Sequence, residues 1–298
     1  MTSAPVIAVD LGKTRCRLVV ADAGGRLRVD GDGAPGLAAA RGASESYDAI
    51  DALLGRVGAS ARRVGVGAAG AWAAPEAASE LARRLAARTG AAVVVASDVV
   101  TAHLGALGGG DGALLIAGTG AAALGVDADG VRLVDGWGPE LGDLGGGSWL
   151  GREALRAVLR ADTGLGAQTS LTAELAEAVG PASDIPSWAG AREPLARRLA
   201  ALAPIVLAAA EHGDSVALGI VQDAARLLTS SAVAATRSSV VALHGGLTDH
   251  AWFRATLAGA LEEAGRTVVP AAGDALDGAL LLAGRTDLPH ERFAHRAE

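Results

Sequence analysis

The sequence predicts an α/β protein of two lobes. Residues 113–134 read as a three-stranded antiparallel meander: an apolar run, the turn Gly118-Thr119-Gly120, a second apolar run, the turn Asp129-Gly130 and a third run. Residues 6–30 read the same way, with a turn at Gly12, Lys13 and Thr14 and another at Gly24-Gly25. Residues 21–31 (ADAGGRLRVDG) match residues 126–136 (VDADGVRLVDG), and the same register sets Thr14 against Thr119. The chain therefore carries an internal repeat, one meander near the start of each half.

The remaining elements follow in order. Ser44 reads as the N-cap of a helix to about residue 57. A buried strand over 64–68 runs into Ala69, and a helix opens at Pro75 and closes at Gly90. A strand over 91–96 leads to Ser97 and Asp98 and then to a helix over 99–107. Residues 136–147 form a glycine-rich loop that holds one Asp, Asp143, and suits a ligand more than a core. Beyond it the chain reads as helical: an amphipathic helix over 148–161, helices over 171–179 and 195–211 with a kink at Pro204, and a long helix from the N-cap Asp214 to about residue 236. A strand over 239–243 ends in His244-Gly245-Gly246. A helix from about residue 249, a strand over 267–269 and a last helix over 274–283 complete the pattern, before a polar end. The expected division is 1–108 and 109–298, the second lobe carrying the helical insertions.

Composition narrows the function. A formal net charge of −7 argues against a nucleic-acid or polyanionic partner. One cysteine, Cys16, rules out a disulfide framework and a multi-cysteine metal site. The N-terminus lacks a signal-peptide pattern, and the longest apolar run, 199–210, falls short of the roughly 20 residues that span a bilayer. A soluble, cytoplasmic protein is expected.

The two glycine turns point to phosphate. Two such lobes facing each other place both hairpins around one cleft, where backbone N–H groups and the Thr hydroxyls can hold an anion. Asp10, at the end of the first strand, would face a metal ion there. Lys13 is the only lysine of a chain that otherwise uses Arg and contains no Asn. A compact ammonium fits beside phosphate where a planar guanidinium does not. Asp98 stands at a strand end and a helix start, where it reads both as an N-cap and as a catalytic carboxylate. His103, further along that helix, reads as a surface or packing residue.

Taken together, Asp10-x-Gly12-x-Thr14, the lone Asp98, Gly118-Thr119-Gly120, Gly136-Trp-Gly…Gly142-Asp143, Gly245-Gly246 and the late GDALDGALLLA resemble the N-acetylglucosamine kinase group. That group includes the BadF/BcrA-type ATPases and belongs to the sugar-kinase, heat-shock and actin superfamily. The resemblance implies two ribonuclease-H-like, actin-like ATPase lobes around a central cleft, closing over ATP and an amino sugar, and a homodimer. It implies Asp98 as the base that also contacts substrate, and Asp10 as the carboxylate holding Mg²⁺ through water. Gly12, Lys13 and Thr14 with Gly118, Thr119 and Gly120 become the phosphate loops, and Gly245 and Gly246 the adenosine motif. Thr119, Gly136, Asp143 and Gly147 become sugar contacts. Phosphoryl transfer asks for such parts: positioning, charge neutralisation and a carboxylate that orients the attacking hydroxyl.

Three departures from the pattern bear on the substrate. Leu144 stands where the group often has Glu, Ala69 where it has Ser, and residues 33–37 lack its sugar-binding Asn. The zinc-binding Cys/His motif of the related repressor and kinase branch is missing. An acetamido group wants an apolar wall and backbone hydrogen bonds, which Ala69, Leu144 and residues 145–147 can supply. An ammonium wants a carboxylate partner. The expected reaction is therefore phosphorylation of the 6-hydroxyl of N-acetylglucosamine. Glucosamine is the alternative, served by Glu140 or Asp135. An activator ATPase of a radical dehydratase needs cluster cysteines that one Cys cannot provide, and a regulator of the same fold ranks lower because the motifs are intact.

Overall fold

The computed structural model describes residues 5–58, 60–191 and 194–298. Its elements in chain order are β1 (Val6–Leu11), β2 (Arg15–Asp22), β3 (Gly25–Asp32), α1 (Gly42–Val57), β4 (Arg63–Ala68), α2 (Pro75–Thr89), β5 (Ala92–Ser97) and α3 (Asp98–Leu107). Then come β6 (Gly112–Ala117), β7 (Ala121–Asp127), β8 (Gly130–Asp135), α4 (Gly147–Asp162), α5 (Leu171–Val179), α6 (Ile185–Ala189), α7 (Leu195–Ala200), α8 (Ala203–Glu211) and α9 (Ser215–Ala235). β9 (Val240–His244), α10 (Ala251–Glu263), β10 (Thr267–Val269), α11 (Ala275–Gly284) and β11 (His295–Ala297) end the chain.

The chain forms two compact units, Met1–Asp111 with Pro270–Glu298, and Gly112–Val269. The expected boundary near residue 108 lies close to the first crossing. The expected second lobe ran to residue 298, whereas the chain returns to the first unit at Pro270. α11 packs there because its apolar residues Leu276 and Ala279 form a core with Ala8 and Val19.

The repeat is real in three dimensions. Among the described residues, the first unit holds the sheet β11-β5-β4-β1-β2-β3 and the second β10-β9-β6-β7-β8. In each, three antiparallel strands form the meander, and the next two strands, β4 and β5 in the first and β9 and β10 in the second, run parallel to its first strand.

Alternation along β1 decides what each face of the first sheet does. Ile7, Val9 and Leu11 join a core with Ile50 and Leu53 of α1 and Leu81 and Leu85 of α2. Ala8 faces α11 instead. Asp10 has the parity of Ala8, so it comes to the α11 face at the C-terminal end of the strand.

Several helix boundaries differ from the sequence reading. Ser44 is not the cap of α1: the cap position is Arg41, and Ser44 donates to the Arg41 carbonyl from inside the first turn. The expected kinked helix over 195–211 is two helices, because Pro204 lies in the first turn of α8, where its missing N–H costs nothing. Asp98 is the first residue of α3 and Ser97 its cap position. A 3-10 turn over Gly246–Asp249 delays the start of α10 to Ala251. β11, read as a polar end, is an edge strand antiparallel to β5. Its three residues are too few for a period-2 signal.

The second unit's core joins Leu115 of β6 with Leu150 of α4, Leu175 of α5, Val206 of α8, Leu228 of α9 and Phe253 of α10. No single helix among the described residues is long and apolar enough to cross a membrane; α7–α8 and α9 pass on length and composition only as a pair bent by 115°. Their apolar faces are buried in this core.

Candidate functional site

In the first unit the predicted residues gather at the C-terminal ends of the parallel strands β1 and β5, the edge where open α/β sheets bind ligands. The turn after β1 is tight: the Gly12 N–H donates to the Arg15 carbonyl at 2.9 Å, and Ala34 N–H reaches back to the Gly12 carbonyl at 3.2 Å. Lys13 and Thr14 stand exposed on it. Ala69 follows β4 and is buried.

Asp10 does not stand alone. It lies opposite Arg17 in the β1–β2 ladder. Arg17 donates to its Oδ2 from Nε at 2.8 Å and from Nη2 at 2.5 Å, and to Asp274 Oδ2 from Nη1 at 2.9 Å. Partial burial disfavours the Arg17 charge, yet the hydrogen bonds and charges of Asp10 and Asp274 outweigh it and hold the guanidinium above its ordinary value. Asp274 is in turn the N-cap of α11, in a reciprocal capping box with Asp277. The GDALDGALLLA motif therefore supplies a cap that reaches the Asp10 site, a role the sequence reading missed. The Asp10–Arg17 pairing was accessible to it, since the two residues flank the hairpin turn symmetrically.

Asp98 is held by one oxygen. Ser97 Oγ and the Val99 N–H each donate to Oδ1 at 2.9 Å. Among the described residues, no hydrogen bond from another residue reaches Oδ2. Burial raises the pKa of Asp98; the Ser97 and Val99 hydrogen bonds oppose the shift, and the charge of Asp10 adds to it. His103 is fully buried, and its Nδ1 lies 3.1 Å from Nε2 of His290. This settles it as a packing residue.

In the second unit, Gly118, Thr119 and Gly120 form the turn between β6 and β7. The helix α4 starts directly on this turn: Gly147 N–H donates to the Gly118 carbonyl at 2.8 Å and Ser148 N–H to the Thr119 carbonyl at 2.9 Å. Gly245 leaves β9 at φ +103°, and a Cβ there would lie 2.5 Å from the Ala117 carbonyl oxygen, so only glycine lets this loop close on the end of β6. Gly246 is exposed beside it. Asp143 Oδ1 accepts the Ala121 N–H at 3.2 Å, which brings the Gly136-to-Gly147 loop against the Gly120 turn.

Asp135 overturns one expectation. It was a candidate partner for a sugar substituent, but it is 3% exposed. Its Oδ1 accepts from Gly136 N and Asp143 N, both at 2.7 Å, and its Oδ2 from Leu144 N at 2.8 Å. Glu140 is exposed on the same loop.

Among the described residues no group of three or more His, Cys, Asp or Glu side chains is placed to hold a metal ion. Both Arg17 hydrogen bonds fall on Oδ2 of Asp10, and no hydrogen bond from the described residues falls on Oδ1. One carboxylate oxygen fits Mg²⁺, which keeps several waters and takes one or two protein carboxylates plus phosphate oxygens. Cys16 is buried in β2, its thiol pushed up to about 12 by burial and by the charges of Asp10 and Asp30, so it is no ready ligand.

Three comparisons bear on the chain. It is 38% identical over 121 residues to N-acetyl-D-glucosamine kinase of Dictyostelium discoideum; the match spans 39% of this chain and 38% of that relative. It is similar to the crystal structure of a putative N-acetylglucosamine kinase from Chromobacterium violaceum, with a TM-score of 0.77, 28% identity and coverage of 94% of this chain and 99% of that one. A putative N-acetylglucosamine kinase structure from Porphyromonas gingivalis shares the fold with a TM-score of 0.72 at 22% identity, over 96% and 99% of the two chains. The model of the BadF/BadG/BcrA/BcrD ATPase family matches residues 7–283, and the chain belongs to that family.

Proposed function

We propose that the protein is an ATP-dependent kinase that phosphorylates the 6-hydroxyl of N-acetylglucosamine. One observation carries the reading: Asp98 is anchored through Oδ1 by Ser97 and Val99, while no described residue donates to Oδ2. A base fixed by one oxygen is oriented for the proton it must take. As the sugar oxygen bonds to the γ-phosphorus, its proton passes to Asp98, the bond from that phosphorus to the β–γ bridging oxygen breaks, and ADP leaves with the electron pair. The names of the relatives support the substrate class.

In this reading Gly12, Lys13, Thr14, Gly118, Thr119 and Gly120 hold the phosphates, and Gly245 and Gly246 border the adenosine. Gly136, Asp143 and Gly147 contact the sugar. Asp10 would hold Mg²⁺, whose bound charge would neutralise the phosphates. The engagement of Asp135 by backbone N–H groups supports the acetamido sugar, because it takes one of the two candidate ammonium partners, Asp135 and Glu140, out of use. The reading extends to a cytoplasmic homodimer, which light scattering of the purified protein would check for assembly state.

The deciding experiment is a coupled assay of ADP release over a panel of hexoses and hexosamines. N-acetylglucosamine should give the highest kcat/KM. A higher value for glucosamine, lost on Glu140→Gln, would move the assignment to a glucosamine kinase. ADP release indifferent to any sugar would end the kinase reading.

A further inference from the structure

The loop from Gly136 to Gly147 carries the Asp143 expected to accept from sugar hydroxyls, and a glycine-rich loop does not fix a side chain by itself. What fixes it is Asp135. Asp135 and Asp143 are the positive-φ non-glycine residues among those described, at φ +62° and +55°. Residues other than glycine persist in that region when the surroundings over-determine them. Here the two are joined directly. The Asp135 carboxylate, buried at the end of β8, takes the N–H of Asp143 on one oxygen and that of Leu144 on the other. The loop is built to let it reach: a Cβ on Gly142 would lie 2.3 Å from Asp135 Oδ1. The far side is close too, since a Cβ on Gly120 would lie 2.6 Å from the Asp143 carboxylate.

Asp135 uses both oxygens on two consecutive N–H groups, and one belongs to the residue whose side chain points at the Gly120 turn. We propose that Asp135 is a positioning residue for sugar binding, setting the backbone of Asp143 so that its carboxylate is presented in one orientation beside the Gly120 turn. The inference rests on the kinase reading above. Asp135 touches no substrate in it and acts through Asp143 alone. The internal repeat sharpens the point: the equivalent residue of the first unit, Asp30, is exposed and pairs with Arg15 and Arg28, so the position alone does not demand a buried carboxylate.

The test compares Asp135→Gly, which suits the positive φ but removes both acceptors, with Asp135→Asn, which keeps one acceptor oxygen. Steady-state kinetics with the full chain should show kcat/KM for N-acetylglucosamine falling by about 10²-fold in the Gly variant, the scale of a misplacement near 1 Å. KM for ATP should stay within about twofold, and the Asn variant should recover part of the loss. Combined with Asp143→Asn, the Gly substitution should add little, since both remove the same contact. Equal losses for sugar and ATP, or full additivity with Asp143→Asn, would overturn the proposal and leave Asp135 a loop-folding residue. Should Asp135→Gly fail to fold, as read by circular dichroism, Asp135→Asn decides alone: an unchanged sugar KM refutes the idea. Wild-type protein that transfers phosphate to no hexosamine would sink the kinase reading itself; active wild type with insensitive variants sinks only this inference.

Discussion

Arg17 directs two of its N–H groups at one oxygen of Asp10 and a third at Asp274. The arrangement turns a pair of facing strand residues into a link between the end of β1 and the cap of α11. It also divides the labour of the Asp10 carboxylate: Oδ2 takes both Arg17 hydrogen bonds, and among the described residues none is made to Oδ1. Such a fork needs a planar guanidinium.

Arg17→Ala should therefore cost stability and nucleotide handling together. Charge-assisted hydrogen bonds contribute about 1.5–3 kcal/mol in favourable settings. The Asp10 arm is the larger part, since both side chains are about one-fifth exposed while Asp274 is 43% exposed and its arm is screened. Urea denaturation should show a loss of about 1–3 kcal/mol, with Arg17→Lys recovering only part. The Mg²⁺ concentration for half-maximal activity should rise or fall with the substitution. Identical Mg²⁺ titrations would mean that Arg17 serves the fold alone.

Lys13 is exposed on the turn after β1, on a chain with no other lysine. Lys13→Ala should raise KM for ATP by roughly tenfold, the equivalent of about 1.4 kcal/mol. Lys13→Arg should fall short of wild type. Wild-type kinetics from the Arg variant would reduce the lysine to an accident of composition.

The buried His103–His290 pair should make the first unit acid-sensitive. Burial, and the neighbouring His103, push the pKa of His290 down from 6.5 to about 3. Between those values the unfolded chain binds a proton that the folded chain does not. Its contribution is thus whole above about pH 6.5 and is lost as pH falls toward 3, at a slope approaching about 1.4 kcal/mol per pH unit. His290→Gln should unfold more easily at pH 7.5 but lose less further stability between pH 7 and 5. Parallel losses in the two proteins would show that other groups carry the acid sensitivity.

How much of this was open to a reader of the sequence follows from which signals are local. The meanders were, because Gly-rich turns and apolar runs are contiguous, and Asp214 announced α9 by its place before an apolar run. Asp10 on the α11 face follows from parity with Ala8, but only once α11 is known to return to the first sheet. That return joins residues far apart in the chain, and no local pattern records it. Pro204 was ambiguous between a kink and a start, since both remove the same N–H. Asp30 and Asp135 show the limit best. They occupy one position of the repeat and share the string Val-Asp-Gly, yet one is solvated among arginines and the other buried under a loop. What differs is the sequence that follows, and burial of a carboxylate by backbone N–H groups leaves no periodicity to read.

The last prediction sets activity against stability at Asp98. Burial raises its folded pKa above the ordinary 3.8. Below about pH 3.8 both folded and unfolded chains hold the proton, and ionisation costs nothing. As pH rises through the folded value, the unfolded chain has already released its proton, and stability is lost. Above the folded value the charged carboxylate is therefore a cost to stability, which the proposed role as base explains. Asp98→Asn keeps the acceptor for Ser97 and Val99 but has no charge to bury. It should raise the unfolding midpoint at pH 7.5, with a smaller gain at pH 4.5. Turnover should fall by about 10²–10⁴-fold because the amide cannot take the proton, while nucleotide still binds. The acid limb of the wild-type kcat/KM profile should lie above the usual carboxylate range and vanish in the variant's residual activity. A variant that is less stable at pH 7.5 than wild type would contradict the burial argument, and near-normal turnover by a folded variant would place the base on another residue.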